Sequence, residues 1–257
     1  MWEIYDELIA GIPEDLFVEE FMIGSAWSQV RSTENKVGLA LTVKGRCQNP
    51  IYQGNIIGDR IKDVAECVKS WNFTEASIGV AAINCYYNDL VKIAAFNSRS
   101  NIEGLDENSD NDNQDAFNAL ASSAAGKNVA VVGRFPHLEK KLSPICCLSV
   151  LERNPEHGDY PDSACEFIIA EQDMVFITGM TLTNKTLPRL LQLVKPGTRV
   201  IMVGPSVPIS PVLYRYGVTD LDGFCVTDAQ KIDMFVRRGD KTGIFKCGKK
   251  ITVSKVV

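Results

Sequence analysis

From residue 114 onward the chain alternates between short apolar runs and amphipathic stretches. The runs at 129–132, 146–151, 174–178, 199–203 and 221–226 are rich in β-branched residues and do not alternate apolar with polar, so each expects burial on both faces. Between and after them, 114–125, 137–142, 162–171, 187–194, 211–216 and 228–237 read as helices. Strands and helices in strict alternation, with both strand faces covered, call for a parallel sheet flanked by helices: an α/β, Rossmann-like unit. The tail, 243–257, reads as a final hairpin turning at Gly248.

The first 97 residues follow another plan. Residues 2–10 have helical spacing that stops at Gly11 and Pro13, and 20–30 and 36–44 read as a hairpin of two strands around Ser32-Thr-Glu-Asn35. Residues 58–71 then place Ile61, Val64, Ala65 and Val68 on one helical face, and 74–87 form a second apolar helix. Strands first and helices after make an α+β unit. Between the two plans lies 98–115, a solvated linker holding Asp106, Glu107, Asp110, Asp112 and Asp115 among serines and asparagines. An EF-hand loop starting at Asp106 needs Gly where Asn111 stands and Glu where Phe117 stands, so calcium binding by that motif is not expected. A chain of 257 residues is natural for two domains. Residues 1–105 are expected to form the first and 106–257 the second.

With 45% hydrophobic and 23% charged residues the composition is that of an ordinary globular protein. A formal charge of -5 and no basic patch with interleaved aromatics argue against a nucleic-acid partner. No apolar run approaches the roughly 18 residues of a membrane span. The acids in Met-Trp-Glu-Ile-Tyr-Asp-Glu stand where a secretory signal carries positive charge, so a cytoplasmic location is expected. Cys47, Cys67, Cys85, Cys146, Cys147, Cys165, Cys225 and Cys247 are scattered, mostly in apolar segments and without a CxxC pair. Buried free thiols in a reducing compartment are the expectation.

Open α/β sheets bind ligands beyond the carboxyl ends of their strands, so the loops there are the functional candidates. Gly133-Arg-Phe-Pro136 has one glycine where a dinucleotide fold has three, and NAD or FAD is not expected. Glu152 lies nineteen positions further on, at the next strand end, where such folds hold a ribose hydroxyl. That leaves an adenosine ligand such as S-adenosylmethionine open, beside the plainer reading of a strand-end acid in a salt bridge. In the same loop Glu152, His157, Asp159 and Asp162 could hold a divalent cation through oxygen and imidazole. Asp159 could instead cap the next helix, with Pro161 and Asp162 in its first turn.

The loop at 178–186 offers Gly179 for close backbone approach and Thr178, Thr181 and Asn184 as neutral donors and acceptors, with Thr186 capping the following helix. In Gly204-Pro-Ser206-Val-Pro-Ile-Ser-Pro211, Gly204 and Ser206 are expected at the strand end, with Ser210 and Pro211 opening a short helix that Gly217 closes. Ser206 has no GxSxG surroundings and the chain has only His137 and His157, so a nucleophilic hydrolase is weakly supported. From the first unit, Asn84 ends an apolar helical face and could reach an interdomain cleft.

The segments Ala82-Ile-Asn84, Gly133-Arg-Phe-Pro136, Leu151-Glu-Arg-Asn-Pro155 with Gly158-Asp-Tyr-Pro-Asp162, Thr178-Gly-Met-Thr-Leu-Thr-Asn184 and Gly204-Pro-Ser-Val-Pro-Ile-Ser-Pro211 resemble, in order and spacing, a prokaryotic family of domains of unknown function labelled "putative heavy-metal chelation". The resemblance covers nearly the whole chain. It implies an amino-terminal domain similar to the enolase amino-terminal fold, a Rossmann-like carboxy-terminal domain, and a site in the cleft between them. Soft metals favour thiolate and imidazole, whereas these loops offer mostly oxygen, and Cys165 is expected to face the core. The expectation is therefore a cytosolic protein that binds a small polar ligand, a divalent metal or a metal chelate. Asn84, Gly133, Glu152, Asp159, Asp162, Thr178, Gly179, Thr181, Asn184, Gly204 and Ser206 would line the site. The alternative is an enzyme whose adenosine-containing cofactor is gripped by Glu152. Catalysis and oligomeric state, a homo-oligomer included, stay open.

Overall fold

A computed structural model describes residues 1–45, 48–96, 101–104 and 116–255. Strands β1 (Val18–Ile23), β2 (Trp27–Ser32) and β3 (Val37–Leu41) form an antiparallel meander in that order. A second sheet is built from β4 (Asn101–Glu103), β5 (Asn128–Val132), β6 (Cys147–Glu152), β7 (Tyr160–Pro161), β8 (Met174–Thr178), β9 (Arg199–Val203), β10 (Asp220–Val226) and β11 (Gly248–Ser254). Its order is β4-β11-β10-β9-β8-β5-β6-β7. From β10 through β7 the pairings are parallel, while β11 is antiparallel to both β10 and β4. The fold is α/β with a parallel-rich sheet.

The apolar runs form this sheet because each one feeds two cores. Val129 and Val131 of β5, Met174 and Phe176 of β8, and Ile201 and Val203 of β9 join one cluster with Phe117, Leu138 and Leu142. The residues between them, Ala130 and Val132, Val175 and Ile177, Val200 and Met202, join another. With both faces covered, alternation vanishes from the sequence. Each Val, Ile or Phe taken out of water contributes about 1.5–3 kcal/mol, so the central strands are the stable floor on which the loops stand.

The cluster that takes Ala130 and Ile177 also takes Val30 and Ala40 of the meander and Val80 to Ile83 of the helix Phe73–Tyr87. That helix, capped by Asn72 accepting the Glu75 N–H at 3.3 Å, is buried on every side from Glu75 to Cys85. It therefore lacks an amphipathic stripe. Gly38 of β3 permits its close approach, since a Cβ there would lie 2.1 Å from both Ala81 O and Cys85 N. The meander's other face, with Trp27, Val37 and Leu39, packs on Ile232 and Val236 of the helix Lys231–Arg238.

Several elements depart from the sequence reading. Residues 20–30 are two strands, because the chain turns at Gly24, whose N–H meets Trp27 O at 2.9 Å. Part of the expected linker, Asn101–Glu103, is a strand on β11, while its acidic EF-hand-like stretch lies outside the described residues. The tail is no hairpin: Gly243–Cys247 is a 3-10 turn and β11 pairs with β10. The helices expected at 58–71, 114–125 and 162–171 are broken into short turns, such as Ile61–Ala65 followed by Glu66–Lys69. A helix at Leu90–Phe96 is new, and its signal is Asp89, whose carboxylate accepts the N–H of Val91 and Lys92.

Candidate functional site

In the large sheet β5 leads outward to β6 on one side, and the chain then returns to β8 on the other. This reversal is the topological switch point at which open sheets bind ligands. Register brings the carboxyl ends into one row: Val132 pairs with Leu151 and with Ile177, and Thr178 pairs with Val203. Gly133, Glu152, Thr178 and Gly204 are thus neighbours around one mouth. The Cβ position of Gly133 is 2.9 Å from Thr178 Cγ2, so these two stand side by side. Gly204, at φ 109°, would carry a Cβ into open space, while its N–H donates to Asp222 O and its carbonyl accepts the Val207 N–H, both at 2.9 Å. Gly179 serves packing instead: a Cβ there would be 2.7 Å from Ser206 C.

The acids of the mouth are already engaged. Glu152 accepts the N–H of Arg134 at 2.9 Å with one oxygen, and those of Arg153 and Asn154 at 2.8 and 3.2 Å with the other. It ties two loops together, and the carboxylate that would grip a ribose is committed to backbone. Asp159, with a side chain 3% exposed, accepts Arg134 Nη1 at 2.7 and 2.8 Å and the Glu156 N–H at 2.9 Å. It does not cap the next helix, which starts at Asp162 after Pro161. Asp162 pairs with Arg153 at 3.1 Å, and His157 is exposed.

The expected cation set of Glu152, His157, Asp159 and Asp162 is not brought together in this arrangement, where arginines and backbone N–H groups hold the three acids. Among the described residues no three His, Cys, Asp or Glu side chains converge to hold an ion. Charge balance explains this, because an acidic loop folds around its nearest arginines. Arg134, which also meets Glu139 at 2.6 Å and Glu156 at 3.1 Å, is the residue the sequence reading missed. Its signal was a cation placed two residues after a strand end, opposite the acid-rich loop 152–162.

The neutral candidates divide into exposed and structural. Thr178 Oγ1 accepts the Met180 N–H at a long 3.4 Å and is half-buried at the mouth. The following residues are not a loop: Met180–Thr183 form a helical turn in which buried Thr181 donates to Thr178 O at 2.7 Å. Asn184 accepts the N–H and hydroxyl of Thr186, at 3.1 and 2.7 Å, so it opens the next helix in place of the expected Thr186 cap. Ser206 is buried and accepts the Leu41 N–H at 2.8 Å, contrary to its expected exposure.

Asn84, also buried, donates to Leu39 O at 2.7 Å and to Pro205 O at 3.2 Å. Both residues staple the meander to the loop after β9. Asn88, unforeseen, ties the end of the helix Phe73–Tyr87 to the same loop by donating to Val207 O at 2.9 Å and accepting the Ile209 N–H at 2.8 Å. Asn84 Oδ1 is buried with no partner among the described residues. Lys185, at φ 64°, was also missed; its ammonium meets Ser70 O and Thr183 O and lies 5.2 Å from the Phe73 ring. Cys165 is buried, and burial followed by the charge of Asp162 pushes its thiol up to about 11, so it offers no thiolate at neutral pH. An open groove of about 200 Å³, lined by Met1, Glu3, Ile4, Pro188, Leu191, Gln192 and Tyr216, contains none of these residues.

Residues 115–255 match the DUF364 family, described as "Putative heavy-metal chelation", and residues 5–87 match DUF4213, which carries the same description. The chain belongs to the DUF364 family. A DUF364 protein of unknown function from Desulfitobacterium hafniense is 43% identical, with 99% of each chain covered and a TM-score of 0.88. Another from Pyrococcus horikoshii shares the fold at 22% identity, with 98% of each chain covered and a TM-score of 0.76. An uncharacterized protein of Methanocaldococcus jannaschii is 27% identical over 260 residues, covering 96% of this chain and 93% of that one. The DUF364 match takes in the whole row from Gly133 to Ser206, and the DUF4213 match takes in Asn84.

Proposed function

We propose that this DUF364 chain binds a small polar ligand, in the form of a chelated metal ion, at the mouth formed by Gly133, Thr178 and Gly204. The observation that carries the reading is the engagement of every acid there by Arg134, Arg153 or backbone N–H groups. A bare cation would have to displace those partners. A chelate brings its own donor atoms and needs only what the mouth offers: the Thr178 hydroxyl, open space over Gly204, and charges already paired. The family's description is compatible with such cargo. The finer architecture belongs to the same proposal: an enolase-amino-terminal-like domain at 1–105, a Rossmann-like domain at 106–257, the ligand between them, and a cytoplasmic setting.

Thermal-shift titration of the full chain tests the reading with nickel, cobalt and zinc ions, each alone and as its citrate or histidine complex. Stabilisation by a complex but not by its ion is expected. Thr178→Val, which keeps shape and removes the hydroxyl, should weaken the response about tenfold, the worth of one hydrogen bond of about 1.4 kcal/mol. Equal response to bare ions would overturn the proposal. So would a response to S-adenosylmethionine alone that Glu152→Ala abolishes, which would favour the adenosine enzyme.

A further inference from the structure

The two edges of the meander differ. On β3 the outward groups are taken: Leu39 O accepts Asn84 Nδ2 at 2.7 Å, and the Leu41 N–H meets Ser206 Oγ at 2.8 Å. On β1, backbone partners reach only as far as Val18, whose N–H meets Asp59 O and whose carbonyl accepts the Gly58 N–H, both at 2.9 Å. Beyond Val18 the ladder fixes which groups look outward. The Gly24 N–H meets Trp27 O, and Met22 and Glu20 face Gln29 and Arg31 in the same phase, so Glu20, Met22 and Gly24 exchange bonds with β2. Phe21 and Ile23 therefore direct their N–H and C=O groups away from the sheet, and among the described residues nothing meets them. The edge is held firmly. Phe21 packs into the core shared with the helix Phe73–Tyr87, and Met22 into the one under the helix Lys231–Arg238. Exposed Phe17 and Ile57 flank its start, and exposed Ile23 stands at its end.

We propose that this edge pairs antiparallel with β1 of a second copy of the chain, joining two meanders into one sheet across a two-fold axis at Met22. The register shift between Val18 and Glu20 leaves 20–24 as the regular stretch, and Met22 is its middle residue. Centred there, Phe21 of each copy opposes Ile23 of the other and exchanges both backbone bonds with it, Met22 meets its own mate, and Glu20 opposes Gly24. The same patch serves both copies, as a two-fold requires. Charge selects a second copy over an unrelated strand. A Cβ on Gly24 would lie 2.5 Å from Val236 O, so the end of the helix Lys231–Arg238, with exposed Arg237 and Arg238, stands beside Gly24. Glu20 of each copy approaches the basic helix end of the other, and no acid faces an acid.

Sedimentation velocity of the full chain over a concentration series tests this. A monomer–dimer equilibrium is expected, with the mass approaching twice that of the chain. Ile23→Lys should weaken it about tenfold or more, because the two-fold puts the lysine into both Phe21–Ile23 pairs. Ile23 is exposed, so an unchanged melting temperature where the wild type is monomeric separates loss of pairing from loss of fold. The register has its own readout. In a Cys47→Ser, Cys147→Ser background, Met22→Cys should close an intermolecular disulfide under oxidised glutathione, since facing Cβ atoms at the axis lie about 4.5–5.5 Å apart. Ile23→Cys, whose mate lies two residues along, should not. A chain that stays monomeric throughout, a dimer that Ile23→Lys leaves intact, or a disulfide from Ile23→Cys but not from Met22→Cys would each overturn the proposal. The mouth belongs to the other sheet, so its chelate response stays intact in Ile23→Lys, which keeps the two proposals separable.

Discussion

Asp220→Asn should cost this protein about 2–3 kcal/mol, and the structure shows why. The Asp220 side chain is 1% exposed and accepts Arg199 Nε and Nη2 at 2.8 and 2.6 Å, Thr219 Oγ1 at 2.7 Å and Ser254 Oγ at 2.5 Å. It locks the start of β10 to β9 and β11. Breaking a fully buried pair costs about 3–5 kcal/mol, but Arg199 is 31% exposed, so solvent screens the charge left behind and lowers the figure. For a chain of this size the melting temperature should fall by about 5–10 °C at pH 7.

The pH dependence has a definite sign. Burial acts to raise the Asp220 pKa, yet the bonds from Arg199, Ser254 and Thr219 outweigh it and hold the carboxyl below its ordinary value. The stabilisation is complete above the unfolded pKa of about 3.9 and is lost as pH falls through the lower folded value. Thermal melts of wild type and Asp220→Asn between pH 7 and pH 3 should converge below about pH 4. A variant that melts within about 1 °C of wild type at pH 7, or a gap that does not narrow in acid, would refute the reasoning.

Other expectations follow from the staples and the acidic loop. Asp159→Asn removes the buried charge that Arg134 pairs with and should speed hydrogen exchange across 152–162 with divalent ions present or absent; an effect seen only with metal would restore the ligand reading of the loop. Ser206→Ala leaves the Leu41 N–H without its acceptor and should cost about 1–2 kcal/mol in urea unfolding, whereas a neutral result would mean the staple is replaced. Gly38→Ala pushes a methyl group into the backbone of the helix Phe73–Tyr87 and should destabilise by more than about 2 kcal/mol, checked by denaturation midpoint.

The parallel core was legible because burial on both faces leaves a mark that one-sided strands lack, as β5 and β8 show. Very short strands leave none: β4 and β7 owe their existence to the neighbour they pair with, not to any pattern of their own. The split between β1 and β2 was hidden because the residues on either side of Gly24 keep strand-like composition. At the site, the sequence revealed which strand ends carry polar groups but not where those groups point. Glu152 and Asp159 turn toward Arg134, and Ser206 and Asn84 turn toward the meander, because buried polar atoms must find partners from elements distant in the chain. The cysteines erred the other way: a shared apolar context suggested burial for Cys147, which begins a strand at the sheet's foot and stays exposed.

Co-crystallisation with a chelated divalent ion, read by the ion's anomalous signal, tests the central claim most directly. The account predicts a peak beside Gly133, Thr178 and Gly204, with the chelator's own atoms coordinating the ion and the Arg134–Asp159 pair intact. An ion bound directly by Glu152 and Asp159, with Arg134 swung away, would contradict it.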